Sequence, residues 1–185
     1  MRGVRLSVSP CFVLFVCAFC YLDRLGLFFP FLLSAALHEG GHLLALRLMR
    51  LPVREIRIGL TGTVIRAELP DRSSALLCLL AGPAVNLLLA LLFRRSAPAL
   101  CLCSTFLFLY NMLPVCPLDG GGICRLLLPH WLCLCLQYAV ILSAVVFGAW
   151  GSFILRMGLL PCLCAAFFLL RLPKTSCKTE RRLLE

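Results

Sequence analysis

Apolar residues along this chain fall in long runs with no polar stripe, the pattern of helices that are apolar on every side. Residues 6–22, 73–93, 96–118 and 126–155 carry no charge, and 25–46 is interrupted only by His38, Glu39 and His42. Arg156 separates the fifth run from a sixth, 157–170. About 20 apolar residues cross the ~30 Å of a bilayer's hydrocarbon, so the pattern predicts about six spans. Pro114 and Pro117 should end the fourth helix near Leu113. The fifth and sixth should turn near Trp150-Gly151-Ser152, with Arg156 reaching back to the interface. The first run is expected to be a retained helix rather than a cleaved signal peptide, since Ala18-Phe19-Cys20 makes a poor cleavage site.

One connector has a different period. Residues 53–58 and 63–69 are rich in β-branched side chains and partly alternate, and Gly59-Leu60-Thr61-Gly62 lies between them. That predicts a β-hairpin, an insert over about 52–70. The fold class expected is an all-α polytopic membrane protein with this small hairpin at the cytoplasmic membrane surface. It should form a single domain over 1–173, followed by a short polar tail over 174–185.

Composition supports the membrane reading. Of 185 residues, 62% are hydrophobic and 14% charged, whereas a soluble domain is about a quarter charged. The formal net charge is +10. Nucleic-acid binding is not expected, because the basic residues sit in short connectors between apolar runs. With six spans and the N-terminus inside, fourteen Lys and Arg face the cytoplasm and four face outward, accounting for all 18. That bias places both termini in the cytoplasm. The 13 cysteines mostly lie within apolar runs, where thiols behave as small apolar side chains.

The few ionisable residues inside the runs carry the chemistry. His38-Glu39-Gly40-Gly41-His42 puts two histidines one helical turn apart on one face, able to grip one metal ion, with a carboxylate beside them. Chance placement of 3 His and 5 Glu in 185 residues would give this pattern about once in a thousand sequences. A catalytic zinc has three protein ligands plus water. The remaining candidates for the third are Asp23, Glu55, Glu68, Asp71, Asp119, His130, Glu180 and Glu185. Asp119 follows two helix-breaking prolines and precedes two glycines that would allow a tight turn, so its carboxylate could swing toward the membrane interior.

These residues, with Asn111-x-x-Pro114-x-x-Pro117-Leu118-Asp119-Gly120 and Ala81-Gly82-Pro83-Ala84-Val85-Asn86, resemble the site-2 protease family of intramembrane zinc metalloproteases. The order and spacing resemble its compact sporulation-type branch, whose known member processes a sigma-factor precursor. The resemblance runs from Ser34 to about Gly122. It implies one Zn2+ per chain on His38, His42 and Asp119, Glu39 as general base, and Asn111 and Asn86 on the substrate side. It also implies a membrane-spanning or membrane-tethered substrate, and a membrane inhibitor or regulator as a further partner. Gly40 departs from the larger apolar residue usual in the family, which implies looser packing or a closer neighbouring helix at the motif. The rival readings are an inactive membrane scaffold and a metal or ion transporter. An intact Glu39 counts against the first, and the lack of internal repeats against the second.

Overall fold

The computed structural model describes residues 5–59 and 62–155, in two compact units that divide between Leu109 and Tyr110. The first unit holds β1 (Arg5–Val8), α1 (Pro10–Leu22), α2 (Phe28–Leu48), β2 (Val53–Gly59), β3 (Gly62–Ala67), α3 (Arg72–Leu92) and most of α4 (Pro98–Asn111).

The expected hairpin is present as β2 and β3, paired antiparallel with Ile56 opposite Ile65 and Ile58 opposite Thr63. It is extended to three strands. Residues 5–8, assigned from the sequence largely to the first helix, instead form β1, parallel to β2 with Leu6 beside Ile56 and Val8 beside Ile58. The strand order is β1-β2-β3. Arg5-Leu6-Ser7-Val8 alternates with period two, and Pro10 then starts α1 at a position that suits its missing N–H. Alternation gives the sheet two unlike faces. Leu6, Val8, Ile56, Ile58 and Ile65 lie on one. Arg5, Glu55, Arg57 and Arg66 lie on the other, where Glu55 accepts hydrogen bonds from Arg57 and Arg66.

α2 and α3 each have 21 residues, and α1 and α4 have 13 and 14. At 1.5 Å per residue the short pair reach only about 20 Å. Among the described residues, α3 alone is long and apolar enough to cross a membrane. Its Leu77, Leu88, Leu91 and Leu92 point outward. The start of α2 is capped by Asp23, which accepts from the backbone N–H groups of Leu25, Leu27 and Phe28. α3 is capped by Asp71, which accepts from Ser73 and Ser74. α2 and α3 pack closely. A Cβ on Gly41 would come 2.8 Å from the Ala81 carbonyl oxygen, so glycine here lets the backbones approach. The smallness of the His motif is therefore used by a neighbouring helix at Gly41. A Cβ on Gly40 would meet nothing within 4 Å.

The second unit begins with the end of α4 and continues into α5 (Asp119–Leu127) and α6 (His130–Leu155). α4 stops at Asn111, ahead of both prolines, as their chemistry demands. The Cys116-Pro117 peptide is cis. Two details differ from the sequence reading. Gly120, Gly121 and Gly122 do not make a turn; they lie buried in the first turns of α5. A Cβ on Gly120 would come 2.6 Å from the Leu113 carbonyl oxygen, and one on Gly121 2.5 Å from the Val115 carbonyl carbon. Their role is close backbone packing. In addition, α6 continues through Trp150-Gly151-Ser152 to Leu155. One interior glycine costs a helix only about 1 kcal/mol, too little to force the expected turn. The sixth run, 157–170, and the tail, 174–185, lie outside the described residues.

Candidate metal centre

His38 and His42 lie one turn apart near the middle of α2, 6% and 7% exposed. Their rings meet edge to face with centroids 4.8 Å apart, and their Nε2 atoms stand 3.2 Å apart. The far side of each ring is held by α3. His42 Nδ1 donates to the Cys78 carbonyl oxygen at 2.7 Å. Since that oxygen can only accept, the neutral ring keeps its lone pair on Nε2. Pro83 has no N–H for the carbonyl of Leu79, which loosens α3 beside the Cys78 carbonyl. His38 Nδ1 is 3.0 Å from the Asn86 side-chain amide nitrogen.

Gly82 lies on α3 between these two contacts. A Cβ there would fall 2.7 Å from His42 Cε1 and 2.8 Å from His38 Cε1. The absent side chain leaves the hollow in which the two rings sit.

Behind His38 is a row of polar groups inside an apolar bundle. Asn86, Ser34 and Ser104 are all 0% exposed. Ser34 Oγ donates to Asn86 Oδ1 at 3.4 Å and lies 2.9 Å from Ser104 Oγ. Ser34's one proton is directed to the amide, so the Ser104 hydroxyl donates to Ser34. The row ties α2, α3 and α4 together. Asn86, expected on the substrate side, is placed at the back of His38. Sequence reasoning missed Ser34 and Ser104. Ser34 had a signal, since it precedes His38 by four residues and so shares its helix face; Ser104 had none. Gly82 stood within a recognised motif, but its reason is a tertiary contact.

Glu39 follows His38 on α2 and is half-buried. In the second unit, Asn111 is the last residue of α4 and Asp119 the first of α5; both are half-buried. The start of α5 is fixed by Leu118 N–H donating to the Val115 carbonyl at 2.9 Å and Gly122 N–H to the Leu118 carbonyl at 3.1 Å. An acid in that first turn is also favoured by the helix dipole. Among the described residues, the competing acids are otherwise engaged. Asp23 and Asp71 cap helices, Glu55 pairs with Arg57 and Arg66, and Glu68 pairs with Arg54. Hydrogen bonding from Arg57 holds the Glu55 carboxyl below its ordinary range, and the Ser74 hydroxyl does the same for Asp71. His130 is exposed at the start of α6.

The histidine pair fits a zinc ion by distance. Two imidazole nitrogens at 2.0–2.1 Å on a tetrahedral ion stand about 3.3 Å apart, against 3.2 Å here. The outer nitrogen of His42 donates to a carbonyl, the supporting pattern usual for a metal-binding histidine, while that of His38 faces the nitrogen end of the Asn86 amide.

No protein-family model matches the sequence, and no curated protein does. Among solved structures, the chain is similar to a site-2 protease from Methanocaldococcus jannaschii, with a TM-score of 0.61 and 17% sequence identity. The similarity covers 95% of this chain and 92% of that one. At this identity it shows that the fold is that of a site-2 protease.

Proposed function

We propose that this chain is an intramembrane zinc metalloprotease. The observation that carries the reading is the His38–His42 pair, with its Nε2 atoms 3.2 Å apart and its outer nitrogens bonded to α3, in a fold like that of a site-2 protease. His38 and His42 supply two of the ligands, and Asp119 is the carboxylate proposed to complete the set. When bound, zinc supplies a Lewis acid that polarises a scissile carbonyl and makes water acidic enough to lose a proton near neutral pH. Glu39 stands next to the ligand pair in sequence without belonging to it. Its carboxylate accepts a proton from the attacking water and passes it to the leaving amine. Asn111, at the broken end of α4, binds the substrate strand or the developing oxyanion.

The substrate is a membrane-spanning or membrane-tethered protein. A peptide in a membrane helix is shielded by its own hydrogen bonds and must extend before water can attack. β3 is an edge strand of the sheet, suited to adding an extended segment. The sporulation-type motif spacing supports a sigma-factor precursor as the substrate, and the Lys and Arg distribution supports a cell-membrane location with both termini in the cytoplasm.

The test is to purify the full chain in detergent, load it with zinc, and follow cleavage of membrane-tethered candidate substrates with and without a chelator. Chelator-sensitive cleavage by wild type that is lost in Glu39→Gln supports the reading. A wild-type protein that binds no zinc and cleaves nothing in the native membrane would leave the scaffold reading in its place.

A further inference from the structure

The polar row behind His38 has a feature that packing alone does not require. Asn86, Ser34 and Ser104 are each 0% exposed, and polar groups at this depth are retained only where their bonds are made. A side-chain amide has a donor end and an acceptor end of nearly equal shape. Here the donor end faces His38 Nδ1 at 3.0 Å and the acceptor end faces Ser34 Oγ at 3.4 Å. With this orientation, Nδ1 of a neutral His38 accepts and the ring proton sits on Nε2, directed at His42 Nε2, 3.2 Å away. His42 complements it, because its own proton is committed to the Cys78 carbonyl.

A ring that ligates through Nε2 needs the opposite arrangement, with its proton on Nδ1 and an acceptor facing it. A half-turn of the Asn86 amide supplies that acceptor. The amide nitrogen then donates to Ser34 Oγ, and Ser34 donates in turn to Ser104 Oγ. Both hydroxyls can donate or accept, so the row remains bonded in either orientation. A carbonyl, as at His42, would permit one orientation only.

We propose that Asn86 is a positioning residue whose amide, kept satisfied by Ser34 and Ser104, sets which ring nitrogen of His38 carries the proton and so whether His38 can ligate through Nε2. The proposal rests on the reading of His38 as a metal ligand. It places Asn86 behind the ligand instead of on the substrate.

The experiment is zinc competition against a chromophoric chelator, on the full chain in detergent. The proteins compared are wild type, His38→Ala, Asn86→Leu, Asn86→Asp and Ser34→Ala. Asn86→Leu keeps the volume but cannot bond to His38, and should weaken zinc binding about 10- to 100-fold. Asn86→Asp presents only acceptors to Nδ1 and should stay within a few-fold of wild type, a rescue that a packing role would not produce. Unchanged affinity in Asn86→Leu, or equal losses in the two Asn86 variants, overturns the proposal. Should the Asn86 variants not fold, 15N NMR of the zinc-loaded wild type decides. A proton on His38 Nδ1 is expected, and its absence overturns the proposal, with Ser34→Ala expected to bind zinc a few-fold more weakly. A wild type that takes no zinc, or a His38→Ala variant that binds as wild type does, would instead remove the metal-site reading itself.

Discussion

Gly82 on α3 backs directly onto His42 on α2: a Cβ at position 82 would lie 2.7 Å from His42 Cε1 and 2.8 Å from His38 Cε1. Both rings are fixed at their outer nitrogens, so neither can retreat without breaking a buried hydrogen bond. Gly82→Ala should therefore lower zinc affinity by about tenfold or more, the scale of disturbed metal-site support, while circular dichroism still reports a helical protein. Gly40→Ala is the control, since a Cβ there meets nothing within 4 Å. A Gly82→Ala protein with wild-type zinc affinity would show that the rings are not held as described.

Glu39→Gln should keep zinc and fold and lose proteolysis by about 10²- to 10⁴-fold, the usual contribution of a general base. The amide is nearly isosteric but cannot take a proton from water. Metal content and turnover measured on one purified sample check both halves, and near-normal turnover would remove Glu39 from the base role.

Asp119→Ala should lose zinc together with activity, whereas Asp119→His should retain part of the metal, since imidazole also ligates zinc. The reason is that the acids of the sheet and caps are already engaged. Elemental analysis of pure Asp119→Ala decides. Full, tightly held zinc would make Asp119 a substrate-side or capping residue, and His130 would be the next ligand to test.

If substrate is held by the hairpin, it pairs with β3, because β1 already covers the free side of β2. A proline in β3, at a position whose N–H points away from β2, should reduce cleavage more than Val64→Thr on the same strand. Proline removes a ladder donor, and the other change alters only a side chain. Equal effects would favour a lid at the membrane surface.

Asp71 gives a pH signature. Its carboxyl is held below the ordinary range, chiefly by the Ser74 hydroxyl. Its folded value is thus depressed relative to the unfolded one. The stabilisation is present above the unfolded value near 4 and is lost as pH falls through the folded one. Asp71→Ala should lower the thermal midpoint at pH 7, and its difference from wild type should close as the pH drops below about 4. A difference that stays constant across that range would mean the cap contributes through shape alone.

Much of the molecule follows from local rules that leave marks in sequence. The ends of α4 and the start of α1 are set by proline, which lacks a donor whatever surrounds it. The β2–β3 pair is marked by β-branched residues flanking a glycine turn. The pairing of His38 with His42 was legible because a period of 3.6 fixes who shares a helix face before any tertiary contact forms.

Tertiary structure decided the rest, because it concerns pairs far apart in the chain. Arg5–Val8 became a strand by finding β2 some fifty residues later, a partner that no local window contains. Gly120 and Gly121, read as allowing a tight turn, became a packing surface because the chain at 113–115 lies against them. Gly82 and Asn86 stood in a recognised motif, yet only the approach of α3 to α2 shows one making room for the imidazoles and the other bonded to His38. A sequence records which groups can donate, accept or fit closely. Which of them meet depends on how apolar helices pack, and many pairings satisfy the same composition until the backbone selects one.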